Sequence, residues 1–369
     1  MAATGGTYVA HALLTRSDPA ASGSVTLPSW TTPDGLASVP PLPGPRTPSD
    51  AAAAVPSSAP ASPAPRTDPT TAQPGPDQPG DGGPARGGSR PPTSERAVTA
   101  AAGPRTAPTS TRPVTWLKAS RTQLSKVHVK GNLYLSGNDI TVQDVVVDGD
   151  IVVNGSPQGG IISPVPANLV LKHVKAQGIF SNGFNGLTLD AVELTNQQNA
   201  PHAQLFNYAD PAHDAVFPAS KLLIQNSWFH GVRPSTSTAH LENLHMGGVQ
   251  GAVIRNNVFE LRSPDGQNTH QYLTANLAME PNMYGVFSSD VVIDGNWFRG
   301  GGSYQIYVNA KGTSKVTNNH FFSDSPTFAG VQYPPTAYER SALPSTGYVR
   351  FAQSGNTLDG KPLPLPGGR

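Results

Sequence analysis

The chain has 369 residues, a formal net charge of +1 and 13% charged residues. This balance gives no electrostatic basis for binding nucleic acid or an anionic membrane surface. The sequence contains no cysteine, which excludes disulfides, thiol catalysis and cysteine-ligated metals. No run approaches the roughly 18 consecutive apolar residues of a membrane-spanning helix, so we expect no membrane span.

The N-terminal third is compositionally distinct. Residues 1–16 contain a thin apolar run without a basic flank, and we expect them to be the remnant of an export signal that starts upstream of Met1. A cytoplasmic protein is the alternative. Residues 17–113 are rich in Ala, Pro, Ser, Thr and Gly, a composition that cannot bury enough apolar surface to offset chain entropy. They are predicted to form a disordered Pro/Ala-rich linker of the kind that often precedes an exported domain.

From Val114 onward the pattern becomes that of short β-strands. Residues 127–135 alternate between apolar and polar types, and β-branched runs follow at 140–147, 169–174 and 187–194. Gly and Asn separate the runs, and no long amphipathic helix stands between them. The sequence therefore predicts an all-β domain over residues 114–361, with a disordered tail at 362–369.

Four segments of this domain are versions of one unit: LLIQNSWF (222–229), AVIRNNVF (252–259), VVIDGNWF (291–298) and SKVTNNHF (314–321). The central aliphatic residues of the strands align at spacings of roughly 18 to 39 residues, the range of solenoid repeats with inserted loops. The aligned positions are Val142, Leu171, Leu189, Ile224, Ile254, Ile293 and Val316. This pattern predicts a single-stranded right-handed parallel β-helix, with stacked Asn and Phe columns and Arg255 beside Asp294.

Several segments resemble secreted right-handed parallel β-helix proteins of actinobacteria, within the pectate-lyase-like superfamily. They are WLKAS (116–120), NLYLSGNDITV (132–142), HLENLHMGG (240–248) with VIRNN (253–257), and DGNWFRGG (294–301) with YQIYV (304–308). The resemblance implies the same fold, in a superfamily of polysaccharide lyases, glycoside hydrolases, esterases and adhesins. Relatives commonly have His-x-Asp-x-[Ile/Leu]-Gln where this chain has Glu242 and His245 in place of the Asp and the Gln.

The candidate catalytic residues are His240, Glu242 and His245. In an extended strand His240 and Glu242 share one face, while His245 lies on the other. A His/Glu pair of this kind is suited to acid–base chemistry or to half of a metal site. The alternative is that these groups are hydrogen-bonded corner and loop residues.

Two long loops, at 196–219 and 262–284, follow strand ends and are rich in polar and aromatic residues. Aromatic rings stack on sugar rings and acids bind their hydroxyls, so these loops are candidates for a sugar-binding groove. The predicted substrate-binding residues are Tyr208, His213, His270, Tyr272, Glu280 and Tyr284. Trp228 and Trp297 share an outward column that is either a binding platform or packed beneath other chain.

Two functional hypotheses follow. The first is a secreted protein that binds a polysaccharide in a groove on the solenoid face and, if it is an enzyme, cleaves it as a polysaccharide lyase or glycoside hydrolase. The second is a non-catalytic cell-surface or extracellular binding or structural protein. Acidic residues are too sparse for a calcium site, and we expect no metal and no cofactor. We expect a monomer whose partner is a polysaccharide or cell-wall glycan.

Overall fold

A computed structural model describes residues 94–157, 164–195, 203–206, 208–210, 215–232, 241–262, 273–280, 286–300, 304–311, 313–323, 336–338 and 352–363. The described chain is mostly β-strand, which confirms the all-β prediction. Its elements are the helix α1 (Glu95–Ala101) and the strands β1 (Ser110–Arg112), β2 (Thr115–Leu117), β3 (Gln123–Ser125), β4 (Val127–Val129), β5 (Leu133–Leu135), β6 (Thr141–Val147), β7 (Asp150–Val153), β8 (Ala167–Ala176), β9 (Gly178–Asn182), β10 (Phe184–Asp190), β11 (Glu193–Leu194), β12 (Ala203–Phe206), β13 (Tyr208–Asp210), β14 (Ala215–Phe217), β15 (Ala219–Gln225), β16 (Trp228–Phe229), β17 (Leu241–Gly247), β18 (Val249–Arg255), β19 (Val258–Leu261), β20 (Leu273–Met279), β21 (Ser288–Asp294), β22 (Trp297–Gly300), β23 (Tyr304–Val308), β24 (Ala310–Lys311), β25 (Lys315–Thr317), β26 (His320–Phe321), β27 (Thr336–Tyr338), β28 (Ala352–Ser354), β29 (Thr357–Leu358) and β30 (Lys361–Pro362).

Two large sheets contain nearly all of these strands, and their pairing is parallel except at the C-terminal β29–β30 pair. Sheet A has two rows of strands, the first containing β10, β15, β18 and β21 and the second containing β11, β16, β19 and β22. Sheet B contains β2, β5, β7, β9, β12, β17, β20, β23 and β27 in chain order. We call one passage through both rows of sheet A and then one strand of sheet B a rung. Each rung pairs in parallel with the rungs before and after it.

The aligned aliphatic residues stack as the sequence predicts. Ile224 pairs with Leu189 on one side and Ile254 on the other, and Ile254 pairs with Ile293. These side chains are fully buried and belong to one continuous core. Beside them the phenylalanine rings stack at centroid distances of 4.7, 5.1 and 5.2 Å, in the order Phe229, Phe259, Phe298 and Phe321. The rung spacing of a parallel sheet, about 4.8 Å, brings each ring onto its counterpart.

The corner between the two rows of sheet A depends on two adjacent positions. The first adopts a positive φ, as at Asn226 (54°), Asn256 (54°) and Gly295 (62°), which residue types such as Asn and Gly accommodate. The second carries a buried Asn ladder, in which Asn257 N donates to Asn296 Oδ1 and Asn296 N to Asn319 Oδ1, both at 3.0 Å. The asparagines that form the ladder are therefore not the ones that make the left-handed turn.

The outward column next to this corner has the predicted register but different contacts. Arg255 is the β-sheet partner of Asp294. Its guanidinium, however, donates from Nε and Nη2 to Gln225 Oε1, at 3.0 and 2.7 Å. Asp294 instead accepts from Thr317 Oγ1 at 2.6 Å and from Asn318 Nδ2 at 2.9 Å.

Ordered structure begins earlier than the predicted boundary at Val114. Helix α1 lies inside the segment predicted as a linker, and Ser94 caps it by accepting from Ala97 N. Glu95 forms an ion pair with Arg299 of β22, with Arg299 Nη2 2.9 Å from Glu95 Oε2. The helix was not predicted, because its short sequence, ERAVTAA, has little effect on the average composition of residues 17–113. The predicted linker upstream of Ser94, the predicted signal remnant and the last six residues lie outside the described residues.

We call residues 94–109 the N-terminal strap. Its backbone N–H groups donate hydrogen bonds to sheet A at several rungs. Gly103 N donates to Ala191 O at 2.9 Å, Arg105 N to Asp144 Oδ1 at 2.9 Å and Thr109 N to Lys126 O at 2.8 Å. Within the part of the chain that the structure describes, no helix has the length and hydropathy to cross a membrane.

Candidate functional site

The side of sheet B that faces away from the core carries a row of aromatic residues. Along each strand the core residues, such as Leu133, Ile151, Leu244 and Leu277, alternate with residues on the other side. The strand register places the latter in one line, which we call the outer row of sheet B. It consists of Trp116, Tyr134, Val152, Phe180, Gln204, His245, Ala278 and Tyr307.

Exposure varies along the outer row. Trp116, Tyr134 and Tyr307 are partly exposed, whereas Phe180 and Gln204 are buried at 7% and 6%. Ligand-accessible aromatic surface is therefore concentrated at the two ends of the row, near Trp116 and near Tyr307.

At the N-terminal end of the row the indole of Trp116 is held in place. Its Nε1 donates to Ser136 Oγ at 2.9 Å, and Ser136 in turn donates to Gly155 O at 2.8 Å. Lys118 Nζ lies 3.3 Å from the centroid of the indole ring, a cation–π distance. These contacts fix the indole at the surface with the Lys118 ammonium over one of its faces.

Toward the C-terminal end, His245 of β17 forms an ion pair with Glu280, the residue that follows β20. His245 Nε2 and Glu280 Oε2 are 3.7 Å apart, and their side chains are 13% and 48% exposed. Glu280 is held there by its backbone N–H, which donates to Met246 O at 3.1 Å. The pair thus joins a largely buried imidazole to a carboxylate at the surface.

The pKa of His245 is raised above its ordinary value. Burial alone would lower this pKa, but the Glu280 contact and the negative charges of Glu242 and Glu280 outweigh burial. The shift favours the protonated imidazole, which can donate a proton.

The side chain of Glu242 lies on the core side of the strand, opposite to that of His245. It is 5% exposed and has the strand parity of the core residues Leu244 and Met246. The pairing of β17 with β20 also shifts between Leu241 and Glu242. The sequence parity predicted that Glu242 and His245 lie on opposite faces, and Glu242 acts on His245 through its charge. His240, the third predicted catalytic residue, lies outside the described residues.

The predicted substrate-binding residues are described only in part. Glu280 is described with its side chain. Tyr208 starts β13, which pairs antiparallel with β14, but its side chain is outside the described part. His213, His270, Tyr272 and Tyr284 also lie outside the described residues, so the two-loop groove stays a prediction.

A second polar cluster lies on the second row of sheet A and was not predicted. Glu193 Oε1 is 2.7 Å from Lys175 Nζ and 3.1 Å from His230 Nε2. The His230 ring stacks on Trp228 with a centroid distance of 3.4 Å, and Trp228 Nε1 donates to Glu260 Oε2 at 3.3 Å. The sequence repeat aligns Glu193 with Trp228. The contacts of Glu193 with Lys175 and His230 could not be predicted, because these residues lie on other rungs and are distant in sequence.

This cluster is a packed structural network. Burial raises the pKa of Glu193, but hydrogen bonds from His230 and Lys175 outweigh burial and the net pKa is lowered. A Cβ on Gly103 of the strap would lie 2.7 Å from Glu193 Oε2, so the strap passes directly over the carboxylate. Val258, in the same column as the two tryptophans, is 1% exposed. These contacts favour the packed interpretation of Trp228 over a binding platform.

Among the described residues, no group of three His, Asp or Glu side chains is arranged to hold a metal ion. Comparisons of the chain with protein-family models, with curated proteins and with solved structures give no match.

Proposed function

We propose that the chain is an exported right-handed parallel β-helix protein that binds a polysaccharide along the outer row of sheet B. The observation that carries this proposal is the register of Trp116, Tyr134, His245 and Tyr307 in one line across the rungs. Aromatic faces stack on the apolar faces of sugar rings, and a line of them suits an extended chain of sugars.

The charge of the outer row favours a glycan over other polymers. Among the described members of the row, His245 is the one basic side chain, and the Glu280 carboxylate lies 3.7 Å from it. Nucleic acid would require a basic row to neutralise its phosphates. A polysaccharide is instead recognised by aromatic stacking and by hydrogen bonds from groups such as the tyrosine hydroxyls.

Binding is tested by affinity electrophoresis of the full chain against a panel of neutral and acidic polysaccharides. With a polysaccharide that binds, Trp116→Ala and Tyr307→Ala should each weaken affinity about fivefold to thirtyfold, the loss of roughly 1–2 kcal/mol of ring contact. Trp297→Ala is the matched control, because Trp297 lies on sheet A and stacks on His320 with a centroid distance of 5.4 Å. Equal losses for all three variants, or no binding by the wild type, contradict the proposal.

Cleavage of the same polysaccharide is a second candidate, supported by the His245–Glu280 pair. The raised pKa makes His245 a general acid for the leaving oxygen. Glu280, 3.7 Å away, stabilises the protonated imidazole, so His245 is the proton donor of the pair. The purely binding function is the alternative.

Release of reducing ends or of unsaturated sugars separates the two candidates. If the protein is an enzyme, His245→Gln should lower the rate of cleavage at least ~100-fold, the scale of a general-acid contribution, and by far more than it weakens binding. If no polysaccharide that binds is cut, the catalytic candidate fails and the binding function stands.

A further inference from the structure

The outward side of the first row of sheet A carries an apolar stripe. Its members lie between the buried core columns, are partly exposed and follow one another in strict register. We call them the sheet A stripe: Val170, Thr188, Leu223, Val253 and Val292. Leu223, the largest of them, is at the centre. Five neighbouring apolar or hydroxyl side chains on a parallel sheet are a surface that a partner can cover.

A column of charged and polar residues borders this stripe. It consists, rung by rung, of Lys172, Asp190, Gln225, Arg255 and Asp294. The charges along it run positive, negative, neutral, positive, negative. The column is antisymmetric about Gln225, because inverting the order of the rungs exchanges every positive residue for a negative one.

We propose that the partner of the sheet A stripe is a second copy of the chain, bound face to face about a two-fold axis parallel to the strands at the rung of Leu223. This axis inverts the order of the rungs between the copies. Lys172 then faces Asp294 of the second copy, and Asp190 faces Arg255 of the second copy. Leu223 packs on its own counterpart at the centre.

The charges select this arrangement over its neighbours. A two-fold axis along the stack of rungs and through the stripe keeps like rungs opposite each other but reverses the strand direction, so that Asp294 meets Asp290 on the opposite rim of the second copy. Moving the chosen axis by half a rung toward the N-terminus brings Lys172 onto Arg255, and moving it by half a rung toward the C-terminus brings Asp190 onto Asp294. Each alternative creates like-charge contacts, which disfavour wrong registers by the same electrostatics that steer association.

The interface has the anatomy of a small homodimer contact, with an apolar centre and a charged rim. Five rungs at about 4.8 Å and six residues at about 3.3 Å give a face of roughly 20 by 20 Å. Such a face buries on the order of 1,000 Å² in total, the lower bound of specific interfaces. The dimer is therefore weak and sensitive to salt.

One residue opposes the dimer. Lys221, exposed at the opposite rim, lies on the central rung and meets Lys221 of the second copy. Removing this charge should tighten association, which gives a test in the opposite direction from the disruptive variants.

Sedimentation velocity of the full chain over a concentration series tests the proposal. We expect a monomer–dimer equilibrium that shifts toward monomer at high salt. Lys172→Asp faces Asp294 in both symmetric contacts and should weaken the dimer roughly tenfold or more. The double variant Lys172→Asp with Asp294→Lys restores opposite charges and should recover the dimer, which a folding defect would not allow. Arg112→Asp, an exposed charge reversal on β1, is the matched control.

The expected ranking of dimer strength is Lys221→Ala above wild type, wild type equal to Arg112→Asp and to the double variant, and Lys172→Asp lowest. A wild type that stays monomeric at the highest concentration overturns the proposal. A dimer that Lys172→Asp does not weaken also overturns it, because that dimer uses another surface.

Discussion

The backbone N–H of Asn296 donates to Oδ1 of Asn319, its counterpart one rung further along the chain, at 3.0 Å. Asn296 Nδ2 also donates to Ile254 O at 2.9 Å, one rung back. The Asn296 side chain thus satisfies two backbone groups of the previous rung, since its Oδ1 accepts from Asn257 N at 3.0 Å and its Nδ2 donates to Ile254 O. This double use of the amide explains why Asn recurs at this position, since an acid lacks the donor.

Asn296→Ala should therefore lower the free energy of unfolding by about 2–3 kcal/mol, the cost of leaving buried donors and acceptors without partners. Chemical denaturation measures the loss. Asn318→Gly is the control, because Asn318 has a φ of 54° and the equivalent positions 295 and 355 are already glycine. If the control lost as much free energy of unfolding as Asn296→Ala, the left-handed turn rather than the Asn ladder would be the source of the stability.

The phenylalanine stack gives a second test. Phe259 is fully buried and contacts a ring on each side, at 4.7 and 5.1 Å. Phe259→Ala should cost about 3–5 kcal/mol, whereas Phe321→Ala, which loses one described ring neighbour, should cost less. Denaturation midpoints of the two variants provide the comparison, and the order of the two losses is the decisive result.

The sequence was sufficient to predict the stacked columns, because one repeat fixes the register of all the others. Ile224, Ile254 and Ile293 could be aligned by their position in the unit, and the structure pairs them in that alignment. Contacts between long side chains could not be predicted in this way. Arg255 has Gln225 on one side and Asp294 on the other. Which of the two the guanidinium bonds depends on rotamers and local geometry. The strap was missed because its helix is short and adjoins a segment of very different composition.

The strap should respond to pH through His173. His173 is 3% exposed and has a φ of 54°, and its column places it between Asp144 and Ala191, two of the residues to which the strap is bonded. Its Nδ1 has no hydrogen-bond partner among the described residues. Pro104, which lies between Gly103 and Arg105 in the strap, has no N–H and cannot donate a hydrogen bond to this atom.

Burial, followed by the positive charge of Arg105, lowers the pKa of His173, while Asp144 and Asp190 oppose the shift and Lys172 reinforces it. A lowered pKa in the docked state means that docking is fully stable above pH ~6.5, the ordinary His value, and weakens as the pH falls toward the lowered pKa. Acid should therefore release the strap before the carboxylates titrate.

Hydrogen exchange at the amides of Gly103 and Arg105 reports this release directly. After correction for intrinsic rates, protection should fall by up to about tenfold per pH unit below pH ~6.5. His173→Asn keeps a residue that tolerates the positive φ and removes the titrating group, so its exchange should not depend on pH in this range. Persistent pH dependence in this variant would assign the effect to another group.

His245 should show the opposite pH behaviour. Because its pKa is raised in the folded chain, the protonated form stabilises the fold below pH ~6.5, and this contribution is lost as the pH rises through the folded pKa. Glu280→Gln removes the carboxylate 3.7 Å away and leaves burial and the Glu242 charge to compete. The pKa of His245, followed by the NMR shifts of its imidazole, should drop measurably in this variant.

Glu260→Gln is the matched control for this titration, since Glu260 bonds Trp228 on sheet A and does not contribute to the pKa of His245. If the same His245 shift appeared in both variants, a general change in net charge would explain it. If Glu280→Gln left the pKa of His245 unchanged, the charge of Glu242 alone would account for the raised pKa, and the surface carboxylate of Glu280 would have no effect on His245. Either result would remove the basis for a proton-donating pair at the outer row of sheet B.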